Sequence, residues 1–379
     1  MDQRLIATPL RLLASRIRLA LLIFVSLSLF AFGSAAAEEL VLAPSARPGE
    51  PVAKTFSLDK GVEFLDTTTL SWVRDNQCFS CHTGYPYLLA RTSIGDPKAA
   101  GLLEARKFLE DRVVAWDKGG KGKGYLKAEG IIEFTEGVTE VVAIAATLAL
   151  HDNHSTGKLH PATRTALSRM WEFQQADGSW TWNKEELAPL EHDDYYGAVY
   201  AALGVGQAPE GYAQSEAARE GVTRLRRYFA KTPAPDLHHK TYLLWASLGL
   251  DGLMNNAERK RTVKALMDRQ RADGGWSLPS LGAWKRHNGK PQDKDAPSDG
   301  YATGLVVYVL RKAGVAATDK PMQRAVDWLK ANQRKSGRWF TRSLNHDDGE
   351  HYIANTGTAY AILALKACEN STPAAKQLP

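Results

Sequence analysis

Two cysteines and a histidine stand at the spacing used for covalent haem attachment, in Cys78-Phe-Ser-Cys81-His82. In c-type haem proteins, two thiols bond to the vinyl groups of the macrocycle and the adjacent histidine ligates the iron. The sequence therefore predicts one haem c, with Cys78 and Cys81 as attachment points and His82 as iron ligand. A disulfide or an idle pair stays open, and so does another metal, although no second ligand pair of comparable spacing supports zinc. A thioredoxin-like pair would need a βαβ context, which is lacking.

A second group of chemically capable residues, Glu191-His-Asp193-Asp194, precedes a helical stretch. Clustered carboxylates raise the pKa of one member by like-charge repulsion, which keeps an acid protonated for proton donation. We therefore predict Asp193 as a candidate general acid, flanked by Glu191 and Asp194. Acidic residues in front of a helix are also ordinary N-caps, and this is the alternative.

Three helix–turn units repeat along the chain and must help to position these residues. Each carries Gln-x3-Gly-x-Trp after an amphipathic helix, at 174–180, 270–276 and 333–339. Glycine adopts the left-handed conformation that ends a helix, glutamine reaches unpaired backbone groups, and tryptophan covers the turn. Recurrence at identical spacing predicts a repeat fold.

Apolar helices alternate with charged ones around these units. The apolar set is predicted at 79–91, 137–151, 195–205, 238–248, 300–311 and 356–367. The amphipathic set is predicted at 98–116, 160–175, 214–231, 256–271 and 320–332, with a sixth member near 58–75. An inner ring wrapped by an outer ring predicts an all-α fold, an (α/α)6 toroid, with a partly open solenoid as the alternative.

The Gln-x3-Gly-x-Trp units resemble the QW motifs of the squalene-hopene cyclase and prenyltransferase superfamily. The resemblance covers about residues 75–370 and implies parallel inner helices around an apolar central cavity. Position by position, the acidic tetrapeptide is similar to the DxDD motif of class II terpenoid cyclases, so that Asp193 takes the place of the proton donor. This sequence departs from that pattern, because Glu191 replaces the first Asp and Tyr195 replaces the following small hydroxyl residue. The second barrel that completes a cyclase cavity is also missing.

Parallel inner helices would begin at one mouth of the toroid, where several histidines gather. The candidate distal ligands of the iron are His192, His238, His239 and His351. Capping does not explain them, because a histidine cation is favoured at the opposite end of a helix. We predict this rim to be a site, with an iron open to a small ligand as the alternative. Cys368 lies at the far end of the last inner helix and is predicted to be a core residue.

The N-terminus has the composition of an export signal. Four arginines precede an apolar run from Leu19 to Phe32, and small residues follow up to Ala37. The run has about a dozen residues, short of the ~20 that a spanning helix needs. We predict a signal peptide at 1–37, cleavage after Ala37, and a periplasmic or secreted protein. An uncleaved anchor is the alternative.

Removing residues 1–37 takes away four Arg and one Asp, so the formal charge falls from +6 to +3. No basic stripe with interleaved aromatics is left, so no nucleic-acid partner is expected. The remaining chain divides into an N-terminal extension with the first outer segment at 38–75, the toroid at 76–370 and a tail at 371–379. No membrane span is expected in it.

Three functions are compatible with these features. The first is an exported c-type haem protein with a redox or apolar-ligand-binding role, whose partners would be a redox protein and an apolar or isoprenoid-like molecule. The second is a haem-free, cyclase-like enzyme that uses Asp193 as general acid. The third is a toroid that binds a ligand without catalysis. The fold does not choose among them, because one fold hosts unrelated chemistries.

Overall fold

The computed structural model describes residues 42–118, 134–184, 187–346 and 351–369. Twelve α-helices account for most of these residues, and the extended pairing among them is limited to isolated bridges. None of the described helices is both long and apolar enough to span a membrane. The predicted leader at 1–37 and the tail at 371–379 lie outside the described residues.

Outer and inner helices alternate along the chain, as predicted. The outer helices are α1 (Leu58–Asn76), α3 (Ala100–Lys118), α5 (Pro161–Glu172), α7 (Glu216–Lys231), α9 (Asn256–Met267) and α11 (Lys320–Ala331). The inner helices are α2 (Tyr85–Ser93), α4 (Phe134–Ser155), α6 (Asp194–Gln207), α8 (Leu237–Ser247), α10 (Gly300–Lys312) and α12 (Ile353–Glu369). The irregular segment near 58–75 thus supplies the sixth outer helix.

The inner helices form a closed ring. Each packs against the next in the chain, and α12 packs against α2. Small residues allow the close approach: a Cβ on Gly204 would lie 2.4 Å from the Cα of Ala146, and one on Gly304 would lie 2.5 Å from the backbone of Tyr360. The predicted (α/α)6 toroid is confirmed, and the partly open solenoid does not describe this chain.

Three inner helices begin at aspartate N-caps. Asp193, Asp236 and Asp299 each accept a hydrogen bond at 2.9 Å from the backbone amide three residues later. A carboxylate at this position satisfies an unpaired amide and complements the positive end of the helix dipole. Capping is therefore part of what the acidic residues in front of these helices do.

The three repeated motifs fold alike and are called QW turns below. In each, the indole Nε1 donates to the carbonyl ten residues earlier, at 2.7–2.8 Å. The glutamine Nε2 donates to the glycine carbonyl four residues later, at 2.8–3.1 Å. The glycine itself has a positive φ of 95–102°. The left-handed glycine, the bonded amide and the buried indole are as the sequence predicted.

Each QW turn also joins one outer helix to the next. The same glutamine Nε2 donates to Gly221 O in the first turn, Pro321 O in the second and Ser57 O in the third. The third contact is special, because Ser57 caps α1 while Gln333 follows α11. It closes the outer ring between the last outer helix and the first.

An extended N-terminal strap, residues 44–53, lies along the third QW turn. Ala53 N donates to Gln333 O at 2.8 Å, and Lys335 N donates to Pro51 O at 2.9 Å. An ion pair at 3.0 Å joins Arg338 Nε to Glu50 Oε2, and Arg338 is almost fully buried. The strap thus covers the seam of the ring.

Tyrosines occupy the interior of the inner ring. Tyr242 Oη lies 3.2 Å from Tyr301 Oη and 2.5 Å from Tyr360 Oη, and all three side chains are buried. Tyr242 and Tyr360 come from α8 and α12, which are not neighbours, so their bond crosses the ring. Tyr196 packs edge-on against Tyr242 at 5.2 Å. Phenols therefore fill and cross-link the space where the resemblance implies an apolar cavity.

Candidate functional site

The Cys78–His82 segment lies in front of α2 and is not part of its regular α-helix. A wider π-helical turn spans Ser80–Gly84, and Ser80 has a left-handed φ of 56°. Phe79 is buried and stacks on Phe108 with the ring centroids 5.9 Å apart. The predicted helix start at 79 is therefore wrong, since α2 begins at Tyr85. The buried phenylalanine leaves Cys78 exposed and Cys81 half-buried.

Contacts to α12 hold this turn in place. Thr356 Oγ1 donates to His82 O at 2.6 Å, and Asn355 Nδ2 donates to Thr83 Oγ1 at 3.2 Å. A side chain at Gly84 would overlap the Phe79 carbonyl, because its Cβ would lie 2.0 Å from that oxygen. The backbone that carries the CxxCH residues is thus fixed by its own sequence and by the last inner helix.

Both thiols are protonated at neutral pH. Desolvation raises the pKa of Cys78, although the residue as a whole is exposed. Burial, with a hydrogen bond and repulsion from Glu191, raises the pKa of Cys81 well above its usual value. A catalytic or redox-active thiol needs the opposite shift. The environment of the pair therefore does not favour a nucleophilic or dithiol-redox role.

His82 is a neutral and uncommitted imidazole. Burial lowers its pKa, and the opposing attraction of Glu191 is weaker. Within the described chain, its ring nitrogens make no hydrogen bond, while its backbone is bound at both ends. A neutral imidazole is the form that ligates iron.

The acidic tetrapeptide does not act as a like-charge cluster, because its three carboxylates find separate partners. Glu191 is buried and accepts a hydrogen bond from Asn183 Nδ2 at 3.4 Å. Asp194 accepts from Trp182 N and pairs with Lys184 Nζ, both at 2.9 Å. Asp193 points the other way, towards α8. The sequence-based assumption that these carboxylates repel one another at close range is therefore wrong.

His239 is clamped between two aspartates. Its Nδ1 lies 2.7 Å from Asp236 Oδ1, and its Nε2 lies 3.0 Å from Asp193 Oδ2, an ion-pair contact outside hydrogen-bond angles. Burial disfavours the imidazolium, but the two carboxylates outweigh it and raise the pKa of His239 to about 9. Burial likewise opposes the ionisation of Asp193, yet His239 lowers the pKa of that carboxyl overall.

The lowered pKa of Asp193 contradicts the predicted elevation. A proton donor of the cyclase type must stay protonated, whereas Asp193 is an ionised partner of a buried cation. Repulsion from the neighbouring carboxylates does not raise the pKa of Asp193, because the attraction of His239 is stronger. His239 is 46 residues further along the chain. The carboxylate caps α6 and pairs with α8, and both interactions favour its charged form.

Among the described residues, one group of three could bring metal-ligand atoms within 4.8 Å of one another, and it consists of Asp236, His238 and His239. Both nitrogens of His239 already face carboxylates, and the site sits at the positive end of α8. An imidazolium held at both nitrogens has no lone pair for a metal ion, and the helix dipole opposes any added cation there. Cys78, Cys81 and His82 do not meet this distance criterion, so their side chains do not converge on one mononuclear ion.

The four predicted distal histidines have different surroundings. His238 is fully buried and its Nε2 bonds to Tyr301 Oη at 2.8 Å. His239 is held by its aspartates, and His351 is buried with Nδ1 accepting from Ser343 N at 2.9 Å. His192 is exposed just before α6. The assignment of a sixth iron ligand among them stays a prediction.

Sequence reasoning missed the connection between the CxxCH segment and the acidic tetrapeptide. Glu191 acts on both Cys81 and His82, although 110 and 109 residues separate them in the chain (191 − 81 and 191 − 82). Asn183 donates to Glu191 Oε2 at 3.4 Å and helps to orient it. The sequence did indicate that both segments precede inner helices and therefore lie at one mouth of the toroid. It could not indicate which of their side chains meet.

No protein-family model matches the chain, and no curated protein matches it. Among solved structures, the apo type II terpene cyclase MstE from Scytonema aligns with a TM-score of 0.48 and 12% identity, over 83% of this chain and 99% of that chain. An MstE variant in complex with geranylgeranyl dihydroxybenzoate (substrate) aligns with a TM-score of 0.47 and 13% identity, over 82% and 97%. The chain is similar to these proteins in the arrangement of its helices. At this identity, no residue role is carried across.

Proposed function

We propose that this protein is an exported c-type haem protein built on an α/α toroid. Cys78 and Cys81 would form the thioethers, and His82 would be the proximal iron ligand. The observation that carries the proposal is the combination at one fixed turn of two protonated thiols and a neutral, unbonded imidazole. Their failure to converge on one point suits a macrocycle, whose edge takes the thiols and whose centre takes the histidine.

The chain's own residues would hold and shield the group. The bonds from α12 to His82 and Thr83 would keep the imidazole in one orientation. Glu191 would lie beside the attachment point as a buried carboxyl group. When bound, haem supplies one-electron chemistry or a site for a small ligand. The predicted signal peptide, periplasmic or secreted location and redox partner belong to the same proposal.

Covalent attachment is tested by the visible spectrum of denatured protein. The full chain, made with its own leader in a host competent for cytochrome c maturation, should keep a haem band through denaturation. The double variant Cys78→Ala/Cys81→Ala should lose the band entirely, because no thioether can form. Cys368→Ala, a matched control at the far end of α12, should keep it. Absence of the band from the wild type, while a control cytochrome matures, would refute the haem proposal.

The two alternatives have less support from the geometry. A general-acid role for Asp193 would need a protonated carboxyl, and its pKa is lowered by His239. An apolar or isoprenoid-like ligand inside the ring would have to separate tyrosines that hydrogen-bond to one another. We therefore rank the haem protein first and a binding toroid second.

A further inference from the structure

Two clefts lie on the outer side of the toroid, beside junctions that lack a QW turn. QW turns join α5 to α7, α9 to α11 and α11 to α1. A cleft of about 700 Å³, called the α3/α5 cleft below, lies between α3, the end of α4 and the loop that leads to α5. A second cleft of about 710 Å³ lies between α7 and α9. Clefts of this size accommodate small organic ligands.

The walls of the α3/α5 cleft are mainly apolar. Its lining includes Pro97, Leu102, Leu103, Leu159 and Pro161. Leu103, which is 54% exposed, stands at its lip. The lining of the other cleft includes Lys240, Glu258, Arg261 and Asp268.

Three of the four charged residues that line the α3/α5 cleft pair with one another, and the fourth, Lys158, is exposed. Arg106 pairs with Asp152 at 2.6 Å and with Glu110 at 2.7 Å. The second oxygen of Asp152 accepts from His160 N at 2.8 Å. Asp152 is buried, so this network is committed to the protein. An ionic ligand would therefore find no unpaired countercharge in this network.

His151 offers the cleft a hydrogen-bond acceptor. Its Nδ1 lies 2.8 Å from Thr92 Oγ1, and that hydroxyl donates to Leu88 O at 2.6 Å. Because the hydroxyl proton is used, His151 must donate through Nδ1, which leaves the lone pair on Nε2. Burial lowers the pKa of His151 to about 4, so the ring is neutral under ordinary conditions. Nε2 has no hydrogen bond within the described residues, and the side chain is 92% buried against this cleft (8% exposed).

His154, one turn further on, shows the contrast. Its Nδ1 bonds to Leu150 O at 2.8 Å, and its Nε2 lies 3.5 Å from Lys312 Nζ. Both of its nitrogens are therefore engaged, although it lines the same cleft. His151 therefore differs from His154, because only His151 keeps a ring nitrogen without a partner among the described residues.

We propose that the cleft between α3 and α5 binds a small apolar molecule bearing one hydroxyl group, which donates its hydrogen bond to His151 Nε2. The apolar body would contact Leu102, Leu103 and Leu159, and the hydroxyl would bond to the Nε2 of His151, which has no partner within the described residues. An unsatisfied acceptor in such a site favours a ligand with a donor over its hydrocarbon analogue. This site is separate from the CxxCH turn, and its occupation does not depend on haem.

Calorimetric titration with p-cresol and toluene tests the proposal, because the two probes differ by one hydroxyl. The full chain should bind p-cresol saturably and about tenfold more tightly than toluene, the worth of one hydrogen bond. His151→Phe should retain the apolar contacts and lose that preference. Leu103→Trp, a change at an exposed position, should block both probes. Met254→Trp, in the wall of the α7/α9 cleft, should change neither affinity.

Nitrogen-15 NMR of the histidine side chains gives a second readout. The His151 Nε2 resonance should shift when p-cresol is added and stay in place when toluene is added. Equal affinity for both probes, or p-cresol binding that Leu103→Trp leaves intact, would overturn the proposal. Neither readout uses a haem band, so failure here and failure of the haem proposal are distinguishable.

Discussion

Replacing Gly337 by alanine should lower the free energy of unfolding by about 3 kcal/mol, because strain and overlap add at this position. Gly337 has a φ of 95°, where an L side chain is strained. A Cβ there would also lie 2.1 Å from Lys60 O, in the first turn of α1. The backbone of α1 would have to move away from the third QW turn, at the junction that closes the outer ring. Urea unfolding followed by circular dichroism measures the change.

Gly157→Ala is the matched control for Gly337→Ala. Gly157 has a φ of 67°, but no atom lies within 4 Å of the position of its Cβ. Gly157→Ala should therefore lower the free energy of unfolding by the backbone strain alone, about 1 kcal/mol. Gly178→Ala, whose Cβ would lie 2.4 Å from Arg224 O, should resemble Gly337→Ala. Equal costs for Gly337→Ala and Gly157→Ala would mean that the ring junction yields without penalty.

The advantage that His239 confers on the folded state should disappear as the solution becomes alkaline. The folded pKa of about 9 exceeds the ordinary value of 6.5, so the stabilisation is complete below pH 6.5 and is lost as the pH rises through 9. This difference corresponds to about 3 kcal/mol. The stability gap between the wild type and His239→Gln should shrink by that amount between pH 6.5 and 9.5. Denaturant unfolding at several pH values would measure it.

Comparing the two proteins at each pH removes the titration of the thiols and phenols, which both share. His192→Gln, at an exposed residue next to Asp193, is the control and should give a gap close to zero throughout. His238 does not interfere in this range, because burial lowers its pKa to about 3. A gap for His239→Gln that stays constant with pH would show that His239 is neutral in the folded protein.

The fold was predictable because its signals are local. The left-handed glycine, the glutamine amide and the tryptophan of a QW turn all contact backbone within ten residues. The alternation of apolar and charged helices then left few architectures. The sequence could not show that the third turn also receives Ser57, 276 residues away, which converts an array of repeats into a closed ring.

The candidate site was less predictable, because its energetics depend on long-range partners. The pattern of Glu191, Asp193 and Asp194 indicated mutual repulsion, but each side chain leaves the segment in a different direction. The cation that determines the charge of Asp193 comes from another helix. The CxxCH motif was visible as a spacing, whereas the protonation of its thiols depends on burial and on Glu191.

The strap over the ring seam has a consequence for how the chain folds. The strap docks on a turn that is nearly 300 residues downstream, as in the contact of Arg338 with Pro44, 294 residues apart. Loops of this length close slowly, and contacts of high sequence separation slow folding. During synthesis, α1 therefore lacks its final neighbour until α11 has been made. The docking of the strap on the third QW turn should be the slowest event in the assembly of the ring.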